Sequence, residues 1–458
     1  MKKIFYLAAL AVFAFASCTK EDNGKTLIEG EQASIKLSFT LPSATTRATQ
    51  TADVGESKVH DINVYVFNEN GTKASVGDYT SLSLSDFTKT GDVYTMEDAS
   101  KIATMSGSKV IYVGINMPAG LKQSFATETL LLAKTETVTG LIKRNGAAMD
   151  GIAMFTKMEE DLIPDTEGEN TINANMDRVI SKVITTKGTT ASNFTITWPT
   201  AGLTLAYNVL GVAVYQDAHT TFVAPNAQTL VDTKTKTTWG QVITPFASAS
   251  HNYISLANTP NTETGRAPLA GFYLGENAPQ TPKNGNTTYI MVKTGVTLSK
   301  TAYVDGTDIK WKNSAYGFGE MNEDVYMIRK DGKDYICDAA NYNAVATALD
   351  APYYTYEEGY VYFQVWLNAS QAAKYKIYRN QYVHIEVNGI KMNENIFGGY
   401  PGIAGDPETE PIDPTDPLNP NNPDPEDPED PIEEMPATLL VNITVKPWEY
   451  VTNATLLE

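Results

Sequence analysis

Cysteine is nearly absent: Cys18 and Cys337 are the only two in 458 residues. A chain that keeps just one of them after export cannot close an internal disulfide, so its fold must be held by apolar cores. Histidine is almost as scarce. His60, His219, His251 and His384 are far apart and form no HExxH pattern, and no CxxC occurs, so neither a metal nor any other cofactor is expected. Basic residues number 35 against 54 acidic ones, for a formal net charge of −19. That balance argues against nucleic acid as a partner, because gripping phosphates takes a concentrated basic surface. There is no GxSxG elbow, and neither Gly317-Phe318-Gly319 nor Gly398-Gly399 leads into a phosphate loop. Catalysis is not expected.

What the chain does hold is the material of sheets and turns. Its 25 tyrosines, with abundant threonine and valine, suit pleated, half-buried surfaces, and 32 glycines and 23 prolines supply turns. An all-β fold is expected, and the length favours two packed domains.

The first residues read as a processing cassette. Lys2 and Lys3 precede an apolar run from Ile4 to Phe15, too short to span a bilayer but right for a signal peptide. The run ends in Phe15-Ala16-Ser17-Cys18, which resembles a lipobox, with Phe15 where leucine is usual. Lipidation at Cys18 would tether a precursor to the outer membrane through its acyl chains. Next, Ile35, Leu37, Phe39 and Leu41 alternate with polar residues at the period of a half-buried strand. Directly after it, Thr45-Thr46-Arg47-Ala48-Thr49-Gln50 is small and polar with one arginine, a place where a trypsin-like protease could cut. A strand that ends in a cleavable loop is removable. Read alone, Arg47 fits better as an ordinary linker residue.

From Lys58 onward short strands follow at sandwich spacing: Ile62 to Phe67, Lys109 to Asn116, Met176 to Thr185 and Phe194 to Trp198. A second series comprises Leu203 to Tyr215, Thr287 to Lys293, Tyr360 to Leu367 and Tyr382 to Val387. Thr127 to Lys134 and Asp338 to Leu349 have helical composition. The pattern breaks at Lys187 to Ser192, which sets the domain boundary there. Arg379-Asn380, before a strand, reads as an ion pair or turn contact rather than a binding pair. From Asp406 to Glu434 prolines alternate with acidic residues and no basic residue occurs, so this stretch is an extended linker with no core.

Beyond the linker, Leu439, Val441, Ile443 and Val445 alternate with polar positions up to Trp448. Read alone, this segment fits best as a last strand folded into its own domain. Its pairing with the N-terminal strand changes that. If proteolysis after Arg47 removes the Ile35 to Leu41 strand, an apolar groove with unpaired edges opens and must be refilled. A strand such as Leu439 to Val445 from another copy fits it by β-augmentation. Donor and acceptor patches differ, so the contact is heterologous and generates an open filament.

Across nearly its whole length the chain resembles the type V pilins, the major fimbrial subunits (fimbrillins) of Bacteroidetes. The likeness is carried by the lipobox at Cys18, Arg47-Ala48, VHDINVYVFNENG from Val59, KVIYVGINMP from Lys109 and MDRVISKV from Met176. It continues in FYLGEN from Phe272, TTYIMVK from Thr287, YRNQYVHIEV from Tyr378 and VKPW from Val445. The resemblance implies two transthyretin-like β-sandwich domains, with residues 1–17 as signal peptide and 18–47 as lipidated propeptide. Residues 48–190 would form the N-terminal domain and 191–458 the C-terminal one, which includes the acidic linker 406–434 and the donor region 437–458. It also implies Cys18 as the lipid site, cleavage between Arg47 and Ala48, and Leu439 to Trp448 as donor. The function implied is that of a structural subunit of a cell-surface fimbrium, polymerising with copies of itself or related pilins and supporting adhesion to host or bacterial receptors. The alternative is a non-polymerising, lipid-anchored adhesin or glycan-binding lipoprotein, as an anchor or tip subunit.

Overall fold

The computed structural model describes residues 30–42, 54–146, 148–187, 194–215, 220–224, 271–278, 287–319, 322–367, 375–392, 394–401 and 438–447. It is all-β, with a few short helices, and its strands build two sandwiches.

The first sandwich uses β1 (Gln32–Thr40), β2 (Ile62–Asn68), β3 (Tyr79–Leu82), β4 (Phe87–Thr90), β5 (Val93–Met96), β6 (Ile102–Met105) and β7 (Gly107–Ile115). These are followed by β8 (Thr135–Thr137), β9 (Ile142–Asn145), β10 (Ala148–Ile152), β11 (Met154–Leu162), β12 (Asn170–Asn175) and β13 (Asp177–Arg178). One sheet has the order β12-β1-β5-β4, with β6 also on β1; the other runs β13-β11-β7-β2-β3. Between them lie Ile35, Leu37, Phe39 and Leu41 from one side and Ile62, Val64, Val66, Ile111 and Val113 from the other. The strand β12 shows the alternation that makes a half-buried strand, with Asn170, Ile172 and Ala174 buried and the residues between exposed. By contrast β2 and β7 are buried on both faces. Tyr65, Phe67 and Tyr112 point away from the sandwich core into a second cluster with Leu121, Phe125 and Leu131 from the crossing segment. This double burial accounts for the near-continuous apolar run of INVYVF.

The second sandwich comprises β14 (Ser181–Lys187), β15 (Thr195–Trp198), β16 (Leu203–Tyr215), β18 (Gly271–Leu274), β19 (Tyr289–Asp305) and β20 (Asp308–Gly317), while β17 (Thr220–Phe222) reaches back to pair with β8. It continues with β21 (Val325–Lys330), β22 (Lys333–Cys337), β23 (Tyr353–Tyr356), β24 (Tyr360–Trp366), β25 (Gln381–Lys391) and β26 (Thr438–Pro447). Its sheets are β18-β14-β25-β26 and β15-β16-β19-β20, with β24 also on β19. The core gathers Leu203, Leu205, Val292, Val361, Phe363 and Ile385 among others. As the alternation in β24 predicts, its second face is covered too, Tyr362 packing with Tyr289, Met291 and Tyr400. Three strands, β22-β21-β23, and the helix Tyr342–Leu349 close one end. Cys337 is buried there beside Ala302, Ile328 and Val345, and burial pushes its thiol pKa well up.

Three expectations change in detail. The strand read as Met176 to Thr185 divides at Val179-Ile180, two wholly buried apolar residues that break the period and sit in the seam between the sandwiches. Its first part, β13, stays on β11, whereas β14 joins β25 in parallel from Lys182 to Lys187. The chain thus changes sandwich ahead of the Lys187 to Ser192 break. The strand expected at Thr287 to Lys293 spans Tyr289 to Asp305, because its far half pairs with β20 past the end of β16. Finally, of Asp338 to Leu349 only the part from Tyr342 is helical; Asp338 instead accepts from Thr301 Oγ1 at 2.8 Å and from Lys312 at 2.9 Å.

Candidate strand-exchange site

The N-terminal strand is seated in the middle of its sheet. β1 pairs in parallel with β12 from Ile35 to Thr40, and antiparallel with β6 and β5 on its other side. Ile35, Leu37 and Phe39 are 0% exposed and Leu41 is 5% exposed. Phe39 stacks on Tyr94 with ring centroids 4.7 Å apart and meets the edge of Phe87 at 5.1 Å. Its outer face is polar: Lys36 contacts Asp98 at 2.7 Å and Glu169 at 3.8 Å, and Lys101 reaches Glu169 at 2.6 Å. The hydrogen bond from Lys36 holds the Asp98 carboxyl below its usual range, and the same bond raises the pKa of Lys36. Ser34 Oγ donates to Asp165 at 2.8 Å, and Asn170 Nδ2 donates to the Ser34 carbonyl at 3.1 Å. Where β1 ends, a cleft of about 380 Å³ opens between Leu41, Pro42, Lys58, His60, Lys89 and Tyr94.

The C-terminal strand lies in the other sandwich, at the edge of its sheet among the described residues. β26 pairs antiparallel with β25 along its whole length. The register sets Leu439, Val441, Ile443 and Val445 opposite Ile390, Val387, Ile385 and Val383, each of which is a core residue of β25. A bulge at Asn388 takes up the odd residue in β25, so β26 keeps strict alternation. Val441 packs against the core. In this subunit the last strand therefore folds back onto its own domain, the arrangement its pattern favours when read alone. The structure does not bring β1 and β26 together. Cys18, Arg47, Ala48 and Trp448 lie outside the described residues.

Between the sandwiches runs a polar seam that sequence reasoning missed. Glu56, in the turn Val54–Ser57, is wholly buried and accepts from Lys182 Nζ at 2.5 Å and from Tyr273 Oη at 2.6 Å. Arg178 Nη2 donates to Ser57 Oγ at 3.2 Å. Arg379, which pairs with Glu276 at 2.8 Å, also donates to the Val223 and Phe222 carbonyls at 2.9 and 3.0 Å. Asn380, at φ 54°, donates to Asp177 at 2.6 Å. Arg379-Asn380 is thus a structural turn at strand entry. Nothing in the local pattern around Glu56 marks it, because its partner is 126 positions away. The seats of Phe39, Tyr94 and Phe87, were half legible: the short alternation in Val93–Met96 is a strand signal that sequence analysis did not use.

Among the described residues, no group of three His, Cys, Asp or Glu side chains could hold a metal ion. No described helix is long and apolar enough to cross a membrane.

Comparison with known families bears on the whole arrangement. Residues 33–204 match the model of the major fimbrial subunit protein (FimA), and residues 354–454 match that of the C-terminal part of the type IV major fimbrial subunit protein, fimbrillin. Between them the two models take in more than half of the chain, and both describe the same kind of subunit. The chain belongs to the fimbrillin family. As a fimbrillin it is a fimbrial structural subunit of the cell surface, a class of protein that assembles with other pilin subunits. The FimA match begins inside β1 and the C-terminal match includes β26, so both strands of interest are family features.

Among solved structures, this fimbrillin is similar to a presumed cell adhesion protein of Parabacteroides distasonis, at 15% identity and TM-score 0.46, covering 93% of this chain and 99% of that one. It is also similar to a fimbrilin of Porphyromonas gingivalis, at 16% identity and TM-score 0.41, covering 92% and 99%. A C-terminally truncated tip fimbrial protein of Porphyromonas gingivalis is similar at 11% identity and TM-score 0.40, covering 78% and 95%. No match is found among curated proteins.

Proposed function

We propose that this fimbrillin is exported as a lipoprotein acylated at Cys18 and is cut after Arg47 by an arginine-specific or trypsin-like protease. It then polymerises into a surface fimbrium by strand exchange. Ala48 as the mature N-terminus and Leu439 to Trp448 as donor belong to this reading, with the passage between the two domains at Val179-Ile180, ahead of β14. The observation that carries it is the seat of β1: the first described strand fills the centre of a sheet with four core side chains, and in the sequence Arg47 follows six residues after Leu41. Burying four such side chains contributes roughly 6 to 12 kcal/mol, so their removal leaves a groove that cannot stay open in water.

The edge position of β26 supports the other half of the proposal. Among the described residues it has a ladder on one side only, to β25. A strand taking the place of β1 would have neighbours on both sides, β12 on one and β5 and β6 on the other. Moving from an edge to a centre gains a second ladder, each bond worth about 0.5 to 1.5 kcal/mol net. Before cleavage, β1 blocks this gain, and the precursor stays single and tethered to the outer membrane.

A second reading is favoured by the fold-back of β26: a non-polymerising, lipid-anchored adhesin or glycan-binding protein, at the anchor or tip of a fimbrium. The two are separated by following detergent-resistant ladders and surface filaments in the wild type, in Arg47→Ala and in a truncation after Pro436. Loss of ladders in both variants is expected. Normal polymerisation of both would rule out strand exchange. Mass spectrometry of the surface form tests in addition whether it begins at Ala48 or remains acylated at Cys18.

A further inference from the structure

The two ends of the β1 seat differ in charge, and so do the two ends of the segment proposed to fill it. At the Gln32 end, Asp165 donates its amide to the Gln32 carbonyl at 3.0 Å and accepts from Ser34 Oγ at 2.8 Å. Glu167 follows in the same turn, and Asp98 and Glu169 lie further along, beside Lys36. Loss of β1 takes Lys36 away, leaving Lys101 to serve both Asp98, at 3.5 Å, and Glu169. At the Leu41 end the charges are even instead: Lys58 and Lys89 line the cleft with Asp92 and His60, and Asp150 pairs with Lys58 and contacts His60. The C-terminal segment has a matching polarity. Asp406 to Glu434 is acidic with no basic residue, and after Lys391 the only basic residue is Lys446, at the far end of the donor strand.

We infer that the incoming strand runs opposite to β1, with Leu439 in the place of Leu41, Val441 of Phe39, Ile443 of Leu37 and Val445 of Ile35. This inference rests on the strand-exchange reading above. In this direction the acidic linker enters over Lys58, His60 and Lys89, while Lys446 takes the place of Ser34 beside Asp165. The opposite choice sets Lys446 beside Lys58 and Lys89 and draws the acidic linker past Asp165, Glu167 and Glu169. Other forces do not discriminate. An apolar pattern of period two reads the same from either end. The ladders are nearly balanced too: β1 is parallel to β12 over Ile35 to Thr40 and antiparallel to β6 and β5 over Gln32 to Ile35 and Ser38 to Thr40. Reversal exchanges one kind of pairing for the other. Charge is left to set the direction, at about two- to fivefold per exposed pair, with several pairs acting together.

The register supplies the test. Thr40 is paired with Val93, which is 37% exposed. Its place is taken by Leu440 in a reversed strand and by Thr444 in a co-directional one. Full-length subunits carrying Val93→Cys with Leu440→Cys, or Val93→Cys with Thr444→Cys, are matured and oxidised; Cys337 is buried and does not compete. A covalent ladder is expected with Leu440→Cys and not with Thr444→Cys. A ladder with Thr444→Cys, or none with either while non-covalent polymers form normally, overturns the inference. Survival of polymers after truncation at Pro436 would instead sink the strand-exchange reading itself. As a second readout, Lys446→Glu is expected to slow assembly about two- to fivefold and Asp165→Lys to restore it; faster assembly by Lys446→Glu alone overturns the assigned direction.

Discussion

Glu56 shows how a single buried charge can govern the joint between the sandwiches. Its carboxylate is 0% exposed, and Lys182, in β14 of the second sandwich, is 6% exposed. One oxygen takes both hydrogen bonds; the other has no partner among the described residues. Removing one member of such a pair leaves an uncompensated buried charge, which costs about 3 to 5 kcal/mol, whereas replacing both with groups of similar shape is often neutral. Lys182→Met is therefore expected to lower the urea midpoint strongly, and Glu56→Gln with Lys182→Met to recover most of the loss. Equal effects of the single and double variants would show that the pair is not what matters. Neither residue is legible in the sequence, where Glu56 is one acidic residue in a polar stretch and Lys182 one polar position in an alternating strand. Phe39 is the contrasting case, since its period alone announces a buried position.

At the scale of elements, β1 and β26 are alike in pattern and unlike in seat. Both alternate four apolar residues with polar ones, yet β1 has neighbours on both sides and β26 on one. Strands held on one side open at lower free energy, and hydrogen exchange reads that energy residue by residue. In the uncut Arg47→Ala subunit, amides of β26 are expected to exchange at least about tenfold faster than those of β1. Comparable protection would mean that the donor strand is locked in its own domain. Many elements were legible in advance: β16 has the bounds its pattern predicts, Leu203 to Tyr215, and β24 differs by one residue. The division of β13 from β14 was not, because two apolar residues in succession look like a strand interior until the seam that buries them is known.

At the scale of the whole molecule, the net charge of −19 makes subunits repel one another over a Debye length. That length falls from about 30 Å at 0.01 M salt to about 8 Å at 0.15 M. Assembly of the cut subunit, followed by light scattering, is expected to accelerate several-fold over that range. A rate that falls throughout would show that the local attraction between the acidic linker and the lysines at the Leu41 end of the groove outweighs the overall repulsion.

Composition and period were enough to establish the all-β class and to mark two strands of like pattern, one near each end of the chain, because these depend on properties local to a few residues. The seat of each strand was beyond them. A period-two pattern states that one face is buried, but it cannot say against which sheet, in the centre or at the edge, or in which direction, since those are settled by contacts between residues far apart in the chain. Only the folded molecule puts β1 between β12 and β5, places β26 at the edge of β25, and gives the two ends of the groove different charge.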